Sequence, residues 1–480
     1  MREVTNPSTP SPSVGSNRWF LSSAPVIRSL VHLCLPMAAA LIVGAIYNLI
    51  NASFIGSLHS TVLLAAITLG SPILALVMAI GNVFGVGGGA LISRLFGEAE
   101  HEPAKARDIK YVASFSFWGS IITGVVVGGV GLMLLNPLVS LLGANAATMP
   151  ATSPFVGVML AFVPVLAASV CLEQLVRAEG AARQVMTGLI ASTILNLILD
   201  AFFILVLHWG VAGAALATGL ANLGVVLYFA AWLTRNSENI SLAPRWFTVV
   251  PVVVKPVLGV GIGTLLQSAF LIVTALVLNN LAAAYGDGPL AAMGVAVRIA
   301  QVPEFLLMGI TIGILPLLAY SYGKGDSERL WAALRISALI IGAIAAATSV
   351  VIFIFRDQVF EAFVADHSLL GLGVIVLTAQ LLAMIANAFT GLVTSLFQAT
   401  GRALAATVMS VTQGVLFVPV VILGNLWFGL TGIIWALTVT EVSVLFVGLV
   451  TLVASRGVIR DGLADGSSER AEAALEESAA

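Results

Sequence analysis

The sequence predicts an all-α integral membrane protein of twelve transmembrane helices, grouped as two pseudo-symmetric bundles of six. Three observations predict it. The composition is too apolar for a soluble chain, the apolar residues fall in a dozen blocks of membrane-crossing length, and a unit of about 220 residues occurs twice.

Of 480 residues, 59% are hydrophobic and 9% are charged, whereas soluble domains carry roughly 25% charged residues. The blocks lie at 29–55, 62–93, 110–135, 153–176, 185–207, 210–234, 253–282, 289–322, 331–355, 369–397, 405–424 and 429–454. Each is long enough to cross a hydrocarbon core about 30 Å thick. They divide the chain into an N-terminal bundle (29–235), a cytoplasmic linker (236–252) and a C-terminal bundle (253–455). Residues 1–28, with Pro7, Pro10 and Pro12, are expected to be a disordered cytoplasmic tail, since no hydrophobic stretch precedes a cleavage site. Residues 456–480, with Glu469, Glu472, Glu476 and Glu477, form a second polar cytoplasmic tail.

A net charge of −2 and the lack of basic stretches interleaved with aromatics argue against a nucleic-acid partner. Cys34 and Cys171 fall inside apolar blocks and read as packing residues. The five histidines show no ligand spacing, so neither a metal site nor any other cofactor is expected.

Basic residues collect in the cytoplasmic loops of membrane proteins. With both termini inside, all of the 21 Lys and Arg residues except Arg298 and Arg356 fall on the cytoplasmic side. An incorrect helix count would scramble that alternation.

Residues 64–97 align without a gap onto 290–323, so that Gly87 meets Gly313 and Gly97 meets Gly323. Pro36 matches Pro256, Gly180 matches Gly401, and VAGAALA (211–217) matches LTGIIWA (430–436). Six helices per unit is an even number, so both halves insert the same way and are related by an axis along the membrane normal. Two such bundles facing each other leave a cleft that rocking opens to alternate sides, although duplication can also build a mere scaffold.

Ionisable groups at membrane depth are costly and mark candidate function. Asp200 follows Asn196 by four residues, so the two share a helix face. Thr218 lies about as far beyond the turn near His208–Gly210 as Asp200 lies before it, which puts the three at similar depth on neighbouring helices. A carboxylate, an amide oxygen and a hydroxyl suit a small cation, or a carboxyl that exchanges a proton, or a brace for the helix hairpin.

Several stretches together resemble the MATE (multidrug and toxic compound extrusion) family. They are YNLINASFIG (47–56), LISRLFG (91–97), RAEGAARQ (177–184), NLILD (196–200) and QATGRA (398–403). The likeness covers residues 29–454. It implies a V-shaped pair of six-helix bundles and cation-coupled antiport of amphipathic, often cationic, organic molecules. It also implies that Asn196, Asp200 and Thr218 belong to a cation-coupling site of the N-terminal lobe. One departure stands out: where the family places an Asp at the end of the first helix, this chain has Asn51. Asn51 keeps an acceptor oxygen but cannot exchange a proton, so coupling shifts to Asp200 and a tightly bound sodium ion is disfavoured. Asn51 as interhelical glue is the alternative.

Asn48, one turn from Asn51, joins Tyr47, Gln267 and Glu304 as candidates for the substrate cleft. Glu304 is either a protonation site, a carboxylate that meets a cationic cargo, or a partner for Arg298. Glu441 leans towards a structural role. The glycine pairs Gly81/Gly85 and Gly309/Gly313 permit close helix contact.

The function these features predict is secondary active multidrug export of cationic or amphipathic compounds against H+, with Na+ as the alternative coupling ion. The rival on the same fold is a flippase or exporter of a lipid-linked or endogenous metabolite. With Arg298 the lone basic residue placed away from the cytoplasmic ends of the spans and deep in the membrane, an anionic cargo is disfavoured. No nucleophile–base cluster points to an enzyme. The expected setting is the lipid bilayer of a cell inner membrane, with the chain functional as a monomer.

Overall fold

The computed structural model describes the backbone of residues 13–56, 61–146, 148–356, 358 and 370–479. Among them the chain is helical and contains no strand. A short α1 (Asn17–Ser22) precedes α2 (Val26–Gly56), α3 (Thr61–Glu98) and α4 (Lys105–Met133). Next come the brief α5 (Leu135–Leu141), then α6 (Met149–Ala178), α7 (Ala182–Ala201) and α8 (Gly210–Asn236). The second half holds α9 (Pro251–Ala283), α10 (Asp287–Gly323), α11 (Ser327–Ile354), α12 (Leu370–Ala399), α13 (Ala403–Phe428) and α14 (Leu430–Ala479). Twelve of these helices, all but α1 and α5, are long and apolar enough to cross a membrane.

The two halves repeat the same pairing of helices. In the first, α3 packs on α4 and α6, α6 on α4 and α8, α7 on α8, and α2 on α7. In the second, α10 packs on α11 and α12, α12 on α11 and α14, α13 on α14, and α9 on α13. The lobes meet along two matching seams, α2 against α10 and α9 against α3. Apolar side chains such as Ile122, Val125 and Val126 on α4 and Leu339, Val350 and Val351 on α11 stay exposed. Such a surface suits hydrocarbon, where every backbone group is satisfied inside its own helix.

Small residues bring the seams together. A Cβ on Gly313 of α10 would strike the Cys34 backbone of α2, and one on Gly87 of α3 would strike the Val257 carbonyl of α9. The repeat aligns these two glycines with each other. Gly81 and Gly85 instead press against α6 within the first lobe.

At one end, which carries α1 and is called here the terminal face, the lobes are shut against each other. Gly97 and Gly323, ending α3 and α10, admit no side chain between them and the opposing backbone. Glu100 accepts from the Tyr320 hydroxyl and pairs with Lys324 at 2.7 Å.

Residues 17–28, expected to be disordered, are ordered. Ser16 caps α1 through its side chain, and Arg18 is held by Glu179 at 2.9 Å. Arg329 of the second lobe donates to the carbonyls of Phe20, Leu21 and Ala24. Burial pushes the Glu179 carboxyl above its ordinary range, and the Arg18 guanidinium draws it partly back. The linker is pinned too: Trp118 donates to the Leu242 carbonyl at 2.9 Å and Ser114 to that of Ala243 at 3.0 Å. Residues 456–479 continue α14 as helix.

Candidate functional site

Among the described residues two polar sites lie within the membrane-spanning helices, one inside the first lobe and one between the lobes. The first is built where α2, α7 and α8 meet. Asn196 and Asp200, one helical turn apart on α7, are 5% and 2% exposed and face α8. With its amide turned to satisfy its neighbours, Asn196 donates to Asp200 Oδ2 at 2.7 Å and accepts from the Thr218 hydroxyl at 3.3 Å. The equal-depth argument from sequence thus corresponds to a real contact across the hairpin.

Tyr47 of α2 completes the cluster. Its hydroxyl touches the Asn196 amide and lies 3.4 Å from Asp200 Oδ2. Tyr47 was expected in the substrate cleft; the structure seats it on the carboxylate instead. Asp200 Oδ1 has no hydrogen-bond partner among the described residues. Directly after Asp200 the helix widens into a π-type turn, Phe202–Val206, before His208 turns the chain at φ 56°. Widened turns of this kind recur at functional sites. Asn48 and Asn51 lie on the same α2 backbone, but their side chains are outside the described residues.

The second site is a cavity of about 450 Å³ between the lobes, walled by α3, α6, α9, α10, α12, α13 and α14. Gln267 and Glu304 line it, in keeping with their placement in the cleft from sequence. Glu441, which the sequence favoured as structural, lines it as well. Gln413 donates to Glu441 Oε1 at 2.6 Å. Phe270, Met308, Phe417 and Leu437 supply apolar wall. The volume is in the drug-sized range, and the wall mixes this apolar surface with many amide, hydroxyl and carboxylate groups, more polar than the usual small-molecule pocket.

Sequence reasoning missed two features here. Arg177, assigned to a loop, is 2% exposed in the last turn of α6 and lines the cavity. Glu173, one turn earlier, neutralises it, and that i, i+4 spacing was visible in the sequence. Arg298 is exposed, and no ion pair joins it to Glu304 among the described residues. None of Asp200, Asn196, Thr218 and Tyr47 lines the cavity. The two carboxylate sites are therefore separate, and α2, packed on both α7 and α10, runs between them.

Comparison with known proteins agrees with this architecture. Multidrug export protein MepA of Staphylococcus saprophyticus is 33% identical over 423 residues, spanning 88% of this chain and 92% of that protein. MepA of Staphylococcus aureus strain MRSA252 is equally similar, 33% identical over the same shares. Among solved structures, the outward-facing conformation of a multidrug resistance MATE family transporter of the MOP superfamily superposes with a TM-score of 0.83. It is 22% identical and covers 96% of this chain and 100% of that one. The MatE family model matches residues 36–202 and 260–423, one stretch in each lobe. With two matched stretches covering both halves of the repeat, and relatives alike over nearly their whole length, the chain belongs to the MatE family of membrane transporters.

Proposed function

We propose that this protein is a multidrug exporter that expels cationic or amphipathic organic compounds in exchange for protons. The observation that carries the proposal is Asp200, a carboxylate buried at membrane depth whose Oδ1 lacks any donor among the described residues. Leaving a lone pair unsatisfied in such surroundings is costly. A proton needs only that one lone pair. Sodium needs several oxygens converging on one point, and Asn51 stands where the family supplies a second carboxylate. The relatives named as multidrug export proteins support drug-like cargo for the cavity.

In this proposal the terminal face is cytoplasmic, as the distribution of basic residues favours, and the closed end makes this the outward-facing state. Protonating Asp200 removes its charge and loosens its hold on Tyr47 and Asn196. α2 then shifts on α7, and its Pro36 lies between Cys34 and Ala38, the residues that meet Gly313 and Gly309 of α10. A proline removes a backbone hydrogen bond and gives a helix a place to bend. Movement of α2 thereby reaches the wall of the cavity and releases cargo outward. Proton loss to the cytoplasm resets the site. Within the cavity Glu304 and Glu441 face a single Arg177 already paired with Glu173, which argues against the anionic headgroups of a lipid-linked cargo.

The test is ethidium transport in everted vesicles under an imposed pH gradient or an imposed sodium gradient. The pH gradient alone should drive it; transport driven only by sodium would remove the proton from the mechanism.

A further inference from the structure

Glu441 sits in the wall of the cavity at 4% exposure, on the transmembrane part of α14. Carboxylates at such depth are retained with a partner, for an unpaired charge in low dielectric is among the costliest things a protein can bury. Glu441 has half a partner. Gln413 of α13 donates to Oε1 at 2.6 Å, while Oε2 has no partner among the described residues. Arg177, which lines the same cavity, is engaged by Glu173, and Arg298 is exposed and in no ion pair among those described. Glu304, from the facing α10, adds a second negative group to the same cavity.

The surroundings state what kind of counter-charge fits. Immediately after Gln413, Gly414 leaves room for the Phe270 ring, which any Cβ at that position would overlap. Phe270 is thus laid against α13 beside the Gln413–Glu441 pair, with Phe417 one turn further along the same helix and Met308 on α10. A buried carboxylate that shares a cavity with a partly exposed aromatic ring, Phe270, and a thioether, Met308, suits a flat apolar body that carries a positive charge, through ion pairing and cation–π contact.

We propose that Glu441 is the anchoring group for the positive charge of the cargo and that Gln413 is the residue that positions it. The proposal rests on the export function above, and it assigns cargo selection to the second lobe and proton exchange to the first. Gln413 holds Oε1 and fixes the carboxylate plane; Oε2, shielded in this conformation and without a partner among the described residues, is taken up when the cation engages the group, and Phe270 provides the stacking face.

The experiment is equilibrium binding of ethidium, a permanently charged planar cation, to the purified full-length protein by fluorescence. Glu441→Gln keeps shape and hydrogen-bonding capacity but removes the charge, and it should weaken ethidium about tenfold or more. Gln413→Leu keeps the charge but frees the carboxylate, and should weaken ethidium about threefold to fivefold. Melting temperature and monodispersity report whether each variant folds. Should Glu441→Gln fail that check, Glu441→Asp, which retains the charge one methylene short, replaces it and should show an intermediate loss. Ethidium bound with wild-type affinity by a folded Glu441→Gln protein overturns the proposal. If that happens while wild-type vesicles still export ethidium on a pH gradient, the export function survives and only the anchor is lost. If the wild type neither binds nor exports ethidium, both fall.

Discussion

The two lobes share a fold and differ in where they keep their acid. The repeat aligns Ala182 of α7 with Ala403 of α13, which sets Asn196 and Asp200 opposite Phe417 and Val421, both fully or nearly fully buried apolar residues. It aligns Val211 of α8 with Leu430 of α14, which sets Asn222 opposite Glu441. Asn222 is neutral and satisfied, accepting from Ser169 at 2.8 Å and donating to the Thr218 carbonyl at 2.9 Å. Glu441 is an acid and is left half satisfied among the described residues. One duplicated scaffold therefore carries a carboxylate sealed inside its first lobe and a different carboxylate turned to the shared cavity from its second. The difference teaches that duplication kept the packing symmetric, whereas divergence at three aligned positions moved the acid from one site to another.

Substitutions can break that division, beginning with the one of largest effect. Asp200→Asn, fixed in the neutral form, should reduce ethidium export to background in cells with expression intact, and the ethidium affinity it retains should be lower than wild type at high pH and no longer vary with pH. Ethidium affinity that still followed pH in that variant would mean that Asp200 is not the titrating group. Glu441→Gln should do the reverse, reducing affinity about tenfold as described, while the response of the first lobe to pH is kept. Gly313→Leu forces a side chain into the α2–α10 seam and should cost about 1–3 kcal/mol, read as a lowered melting temperature together with impaired export. An unaltered melting temperature would show that the seam is not close-packed. Tyr47→Phe removes only the hydroxyl near Asp200, so export should drop about fivefold with ethidium affinity unchanged. The smallest effect concerns the terminal face. Because burial raises the Glu179 carboxyl, the folded chain holds its proton more tightly than the unfolded chain does. Its contribution to stability is present at low pH and fades as pH rises through the raised value. Glu179→Gln should flatten that decline in melting temperature; a steeper decline would reverse the sign.

Much of this organisation was legible before any coordinates. The helix count followed from block length and the alternation of charge, and the Asp200–Asn196–Thr218 contact followed from a four-residue spacing and a tight hairpin. What escaped has a common cause. Helices such as α2 are apolar nearly all round, so periodicity does not reveal which face Tyr47 is on, and only packing against α7 tells. Glu441 is judged by a partner 28 positions away on another helix, which no local pattern contains. The tail around α1 looked disordered because its stabilising contacts, Glu179 and Arg329, come from the end of α6 and the first turn of α11, far along the chain and in opposite lobes. The polar tail after the last apolar span, which the sequence leaves open as mobile or briefly helical, continues α14 because a polar sequence can extend a helix once an apolar span has nucleated it.

The central claim, that cargo and proton are exchanged through Asp200, is tested most directly by following protons. In a weakly buffered solution of purified protein near neutral pH, adding ethidium should release protons from the wild type. The Asp200→Asn protein should bind ethidium and release none. Equal proton release from both would contradict the account.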